Sequence, residues 1–184
     1  MLRQQPFWNA LILNILLGTA WHTVTFLLCV YKNPAAFSPR RKIYHPRSWE
    51  REGRLYAEML RINRWKDYLP RHNGKNGFSK EHLEGVSLEY IDRFIIETCR
   101  GEWNHSMNCL LAPVLLILNR PELGFCLAIP ILIGNFPFVI IQRYNRFRLQ
   151  RLRKRILRRQ KRLSLQTEET GAVPPAAAVS VHKN

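Results

Sequence analysis

The chain has 184 residues, with 29 Lys or Arg against 13 Asp or Glu and a formal net charge of +16. That excess lies far beyond the range of about 2–8 net charges that suits a small soluble domain, and it calls for an anionic partner, either nucleic acid or a membrane surface. The charges are segregated, with fifteen basic residues in 32–102, eleven in 143–162 and charge-free apolar gaps between; this argues against nucleic acid as a partner, and four cysteines without paired spacing argue against a disulfide scaffold.

In chain order, residues 1–31 come first. Phe7 to Tyr31 is 25 residues without a charge, longer than the roughly 20 helical residues a bilayer core requires. Trp8, Trp21 and Tyr31 suit interface belts, although Trp21 falls deep for that role. Gly18-Thr19-Ala20 resembles a signal cleavage site, but the apolar character continues past it, so an uncleaved anchor is expected.

Residues 32–102 are expected to lie in the cytoplasm along the membrane surface. Pro34, Pro39 and Pro46 make residues 32–47 an extended connector. From Trp49 to Leu69, Leu55, Met59 and Ile62 recur at helical spacing beside a basic complement, which predicts a helix lying in the interface. Arg71 to Gly77 is turn-rich. Ser87 then suits an N-cap, and Leu88, Ile91 and Ile95 repeat toward Cys99. No sheet signal of any length occurs.

Residues 103–142 hold two further apolar runs. Trp103 to Leu118 covers about 24 Å as a helix, and Leu123 to Ile141 is 19 charge-free residues. Asn119 to Glu122 is a tight turn with Pro121 suited to a first helical position, so the two runs read as an antiparallel hairpin. Residues 143–163 form a basic amphipathic helix with Leu149, Leu152, Ile156 and Leu163 on one stripe, suited to anionic phospholipid headgroups. The Ala/Pro-rich end within residues 164–184 reads as disordered.

The fold class expected is therefore an all-α membrane protein: an N-terminal transmembrane helix, interfacial cytoplasmic helices, a C-terminal transmembrane hairpin and a basic tail helix. Basic residues number 26 in 32–102 and 143–162 against Arg3 and Arg120 on the other side. The positive-inside rule thus predicts a multi-pass cell-membrane protein with loop 32–102 and the tail cytoplasmic.

Chemistry is expected where the second apolar run begins. At about 100° per residue, Glu97, Arg100, Asn104, His105 and Asn108 fall within about 140° of a helix surface. Ionisable groups entering a bilayer are functional candidates; the alternative is a salt-bridged helix end whose charges snorkel to the headgroups. His105 suits a general base, with Glu97 or Glu102 to orient it. Gln142, Arg143, Tyr144, Asn145 and Arg146 end the third run at the same depth, as a second wall of a site or as a positive-inside flank. Trp65 and Lys66, in the predicted interfacial helix, carry little signal alone. No metal-ligand spacing, P-loop, Gly-x-Ser-x-Gly or Gly-x-Gly-x-x-Gly motif occurs, so neither a metal nor a bound cofactor is expected.

Ile95-Ile96-Glu97-Thr98-x-Arg100-x-Glu102-x-x-His105, an apolar hairpin, then Ile140-Ile141-Gln142-Arg143-Tyr144-Asn145-Arg146 together resemble the glycosyl-4,4'-diaponeurosporenoate acyltransferase family. Glu50-x-x-Gly53 and Trp65-Lys66 also fit, and the resemblance covers about residues 45–160. Phe147 departs from the family pattern, which has proline there; without it the third run can continue straight into the basic tail. The resemblance implies transfer of a fatty acyl chain from acyl-CoA or acyl carrier protein to a sugar hydroxyl of a glycosylated carotenoid or related glycolipid. His105 would be the base, oriented by Glu102 or Glu97. Arg100, Arg143 and Asn145, with Asn104, Gln142, Trp65 and Lys66, would bind substrate or stabilise the oxyanion. The rival reading is a non-enzymatic membrane scaffold whose basic tail binds anionic lipid or a partner protein. No nucleic-acid partner is expected.

Overall fold

A computed structural model describes residues 2–69 and 87–170, and among these residues the chain is wholly helical, without strands. The helices are α1 (Phe7–Tyr31), α2 (Arg54–Glu58), α3 (Ile62–Trp65), α4 (Leu88–Cys109), α5 (Leu111–Leu118) and α6 (Pro121–Thr170). Short 3-10 turns lie at Pro34–Phe37, Lys42–Tyr44, Ser48–Gly53 and Lys66–Tyr68, among the described residues after α1.

Two helices, α1 and the first half of α6, are long and apolar enough to cross a membrane. A core helix of that composition would be covered on most sides. Here Phe7, Trp8, Ile12, Ile15, Leu16 and Phe26 on α1, and Phe125, Ile133 and Phe136 on α6, face outward with more than half of their surface exposed. An apolar rim of this extent is compatible with lipid and costly in water, at roughly 25 cal/mol per Å².

Residue pairs give the packing. Asn14 meets Asn119, Trp21 meets Met107, Thr25 meets Asn108 and Cys29 meets Arg100, so α1 runs antiparallel to the α4–α5 rod. His105 meets Asn135, Glu102 meets Arg143 and Asp92 meets Arg153, so α6 is antiparallel to the same rod and parallel to α1. The rod breaks at Leu110 because Pro113 offers no N–H to the Cys109 carbonyl and its ring crowds that group. Trp21 lies beside this break and its Nε1–H donates to the Met107 carbonyl at 3.1 Å. Its depth is thereby explained by a packing role in place of an interface belt. At the far end Asn14 and Asn119 exchange two amide hydrogen bonds of 2.7 and 2.9 Å, each amide satisfying the other in an apolar setting.

Ser87 caps α4, its Oγ accepting from the Tyr90 N–H at 3.2 Å. Ile91, Ile95, Thr98, Cys99 and Glu102 then form its buried stripe.

Three expectations are corrected. Residues 32–47 do not run extended: their two 3-10 turns fold back over the bundle, burying Phe37 and Tyr44 against Cys99, Ile96 and Trp103. The stretch from Trp49 to Leu69 is not one helix, because Arg51, Glu52, Gly53 and Arg61 all have positive φ and cut it into short pieces. Packing overrides its helical periodicity: Ile62 is fully buried with Tyr56 against Tyr144 and Phe147, whereas Met59 points outward. The third run does continue into the basic tail, as Phe147 in place of proline allows, since nothing after Pro137 interrupts α6 before Thr170. Residues 164–170 are helical where disorder was expected. The Arg71–Gly77 turn and the Ala/Pro-rich end lie outside the described residues.

Gly53 sits at φ 88°, and a Cβ there would lie 3.0 Å from the Phe147 side chain. Gly53→Ala is therefore expected to lower stability by about 1–3 kcal/mol, read as a lower thermal midpoint in detergent micelles. Gly18→Ala, whose nearest foreign atom would be 4.0 Å away, should leave the midpoint unchanged.

Candidate active site

Where α4 and α6 pass from the charged end of the bundle into its apolar part, their stripes bring polar residues together one turn at a time. Cys99 and Glu102 on α4 face Arg146 and Arg143 on α6, and one turn further His105 faces Asn135 and Phe138. Gly101 leaves room here for the Gln142 side chain: a Cβ there would lie 2.9 Å from it.

Arg143 is the centre of the upper layer. Its Nε and Nη2 grip Glu50 in a bidentate pair of 2.6 and 2.8 Å. Nη1 donates to Glu102 at 2.6 Å, and the remaining hydrogens reach the carbonyls of Ile43 and His45 at 3.5 and 3.2 Å. All five guanidinium donors are thereby engaged. Glu50 is fully buried and also accepts from the Arg47 N–H at 2.6 Å and the Tyr56 hydroxyl at 2.5 Å. Arg146 Nη1 lies 2.6 Å from Glu102 Oε2, an ion pair whose approach is off the hydrogen-bond direction. Its guanidinium also lies over the Tyr44 ring, 5.4 Å from the centroid. Two carboxylates and two guanidiniums make the cluster electrically neutral.

Burial alone would push the Glu50 carboxyl up, but its bonds from Arg143, Tyr56 and Arg47 hold it below the usual carboxylate range. Burial and the Glu50 carboxylate push the Tyr56 hydroxyl well up, so it stays a donor. Burial likewise pushes the Tyr44 hydroxyl up to about 12, assisted by Cys99 and Glu102.

The lower layer holds His105, half-buried, with Nδ1 3.0 Å from Asn135 Oδ1 and its ring stacked on Phe138 at 4.8 Å between centroids. Glu102 turns to the two arginines and makes no hydrogen bond or ion pair with His105. Glu97 is half-exposed and 3.7 Å from Arg100, whose guanidinium covers the Phe37 ring at 5.2 Å. Asn104 is half-buried with a sealed, unpartnered Oδ1. Gln142 packs on Gly101, and Asn145 is half-buried with no hydrogen bond to another described residue. Trp65 packs beside the Tyr144–Phe147 cluster and donates to the Leu60 carbonyl at 2.8 Å, while Lys66 pairs with its neighbour Asp67 at 2.8 Å. Those two are not joined to the carboxylate cluster. Among the described residues no group of three or more His, Cys, Asp or Glu side chains converges as metal ligands.

Sequence reasoning undervalued Glu50 and overlooked Tyr56 and Asn135 as site residues. Glu50 lies 93 positions from Arg143 and gave little local signal, and Tyr56 enters the site only through Glu50, six positions before it. Asn135 did give one: it is the single amide in the otherwise apolar run Leu123 to Ile141.

Glu50 has a depressed folded pKa, so its contribution to stability is present above the unfolded value of about 4.3 and is lost as pH falls through the folded value. Acid unfolding of the purified protein should show this loss. Glu50→Gln should flatten it and cost about 3–5 kcal/mol at neutral pH by leaving Arg143 half-paired. Glu50→Gln combined with Arg143→Leu should cost less than the sum of the two singles, measured by denaturant titration.

Comparisons with known proteins were consistent with one another. The family model for glycosyl-4,4'-diaponeurosporenoate acyltransferase matches residues 40–155, which contain the whole polar cluster and His105. The acyltransferase of that name from Staphylococcus haemolyticus (strain JCSC1435) is 28% identical over 152 residues, covering 78% of this chain and 86% of the relative. Those from Staphylococcus aureus strains MRSA252 and bovine RF122 / ET3-1 are 30% and 31% identical over 129 residues, covering 68% of this chain and 77% of each relative. No solved structure matches. On this match the chain, an acyl-transfer enzyme, belongs to the glycosyl-4,4'-diaponeurosporenoate acyltransferase family.

Proposed function

We propose that this enzyme moves a fatty acyl chain from a thioester donor, acyl-CoA or acyl carrier protein, to a sugar hydroxyl of a glycosylated carotenoid acid at the membrane surface. The observation that carries the reading is the position of His105. A half-buried imidazole stands one helical turn below an electrically neutral ion cluster, at the level where the apolar run begins. An acceptor with a lipid body and a sugar head would leave its hydroxyl at that level.

In the reaction, His105 takes the sugar hydroxyl proton as the oxygen attacks the thioester carbonyl. The tetrahedral intermediate collapses with formation of the ester C–O bond and cleavage of C–S, and the imidazolium returns the proton to the thiolate. The geometry redistributes the roles expected from sequence. Arg143 has no donor left for an oxyanion, and Glu102 is committed to Arg143 and Arg146, so both act as framework. The outer Nη groups of Arg100 and the NH₂ groups of Asn104 and Asn145, which make no hydrogen bond to a described residue, are the candidates for the oxyanion and for donor phosphates; the unpartnered Asn104 Oδ1 is an acceptor and serves neither. Glu97, held loosely at 3.7 Å, tempers the Arg100 charge.

In this reading α1, the α4–α5 rod and the first half of α6 cross the membrane, and the charged end faces the cytoplasm by the positive-inside rule. The outward-facing Arg151, Arg155, Arg158 and Arg159 on α6 then meet anionic headgroups.

The test uses the full chain in nanodiscs with a radiolabelled long-chain acyl-CoA and glycosyl-4,4'-diaponeurosporenoate. His105→Ala is expected to lower kcat by about 10²–10⁴, and full acylation by that variant refutes the base assignment. Replacing Arg151, Arg155, Arg158 and Arg159 by Gln should leave turnover in detergent intact. The same change should weaken binding to phosphatidylserine vesicles by about 1 kcal/mol per charge; the opposite pattern favours a scaffold.

A further inference from the structure

We propose that Asn135 is a positioning residue that locks the neutral His105 ring as its Nδ1–H tautomer, leaving Nε2 as the nitrogen that accepts the proton. The proposal rests on the reading of His105 as the base, but its structural part stands apart from it.

The argument runs through donors and acceptors. Asn135 Nδ2 lies 2.9 Å from the Ile131 carbonyl, one turn back on α6. A carbonyl only accepts, so the amide edge facing Ile131 is the NH₂ group; the reversed amide would set two oxygens against each other. Oδ1 therefore faces the imidazole, 3.0 Å from Nδ1. An amide oxygen also only accepts, so Nδ1 must carry the hydrogen. In the neutral ring the lone pair then belongs to Nε2.

The surroundings make this assignment firm. Asn135 is 8% exposed, so water does not replace either partner. Phe138 stacks on the ring with an interplanar angle of 14°, which restrains rotation about the Cβ–Cγ bond. Nε2 makes no hydrogen bond to a described residue, and it is not among the unpartnered polar atoms sealed from the surface. The open nitrogen is thus the one free to meet a hydroxyl. Asn135 supplies the orientation that sequence reasoning assigned to Glu97 or Glu102. An amide performs it without adding a second buried charge next to the carboxylate cluster, and it stabilises the imidazolium by its dipole alone.

The experiment is ¹⁵N NMR on full-length protein labelled at histidine, in nanodiscs at pH 8, with His105 identified by the signal lost in His105→Gln. The wild type is expected to show the proton on Nδ1; a proton on Nε2 overturns the proposal. Asn135→Leu should release the lock, giving a mixture of tautomers and a kcat lowered at least about 10-fold with little change in KM for the acyl-CoA. An unchanged tautomer and kcat in that variant likewise overturn it. Asn135→Asp, which keeps an acceptor oxygen facing the ring but sets its second oxygen against the Ile131 carbonyl, should keep Nδ1–H and recover part of the lost kcat. Full turnover by His105→Gln would instead sink the base reading, while the NMR result decides the role of Asn135 separately.

Discussion

The five engaged hydrogens of Arg143 are the constraint on which the rest of the charged end depends. One guanidinium on α6 holds Glu102 on α4, Glu50 in the turn Ser48–Gly53, and the backbone carbonyls of Ile43 and His45 in the connector before it. A charge brought into an apolar bundle is costly unless it is paired and its hydrogen bonds are complete. Here both conditions are met, with Tyr56 and the Arg47 N–H completing Glu50. The connector must therefore bring Glu50 to a fixed point. That requirement accounts for the left-handed residues Arg51, Glu52 and Gly53 immediately after it. Backbone strain of this kind persists where surrounding contacts over-determine it.

Neutrality of the cluster also separates structural from chemical roles. Glu50, Glu102, Arg143 and Arg146 use one another, so they hold α4 and α6 together, with the Gln142 side chain lying over Gly101. The residues with unused capacity lie around this frame: Arg100, Asn104, Asn145 and the Nε2 of His105. In the proposed reading, a rigid frame with a few unspent polar groups beside it is what positioning a hydroxyl and a thioester requires, since misplacement by about 1 Å can cost a hundredfold in rate.

Legibility from sequence followed the range of the interactions. The apolar runs, the Ser87 cap, the Ile91–Ile95 stripe and the all-helical class depend on residues a few positions apart, and periodicity reports them. The motif around Glu97 to His105 was visible as polar residues entering an apolar run. The partners of its members were not: Glu102 is three residues from His105 and within reach on a helix, yet it is on the stripe that meets Arg143, 41 positions away. The stretch from Trp49 to Leu69 misled for the same reason, because its helical spacing was real but Glu50 and Ile62 have stronger partners on α6 and around it. Phe147 behaves as its chemistry predicts, allowing α6 to continue, and its ring also packs against Tyr56 at 6.2 Å between centroids.

The +16 charge and its segregation into blocks were determined by the sequence alone, and with them the apolar runs long enough to cross a membrane, the helical class and the polar stretch that enters the second run. These follow from composition and short-range pattern, which act on the chain before it folds. Only the tertiary structure decided which charges neutralise one another and which nitrogen of His105 is left open. Those outcomes depend on directional bonds between residues tens of positions apart, and a directional bond exists only once both partners have been placed.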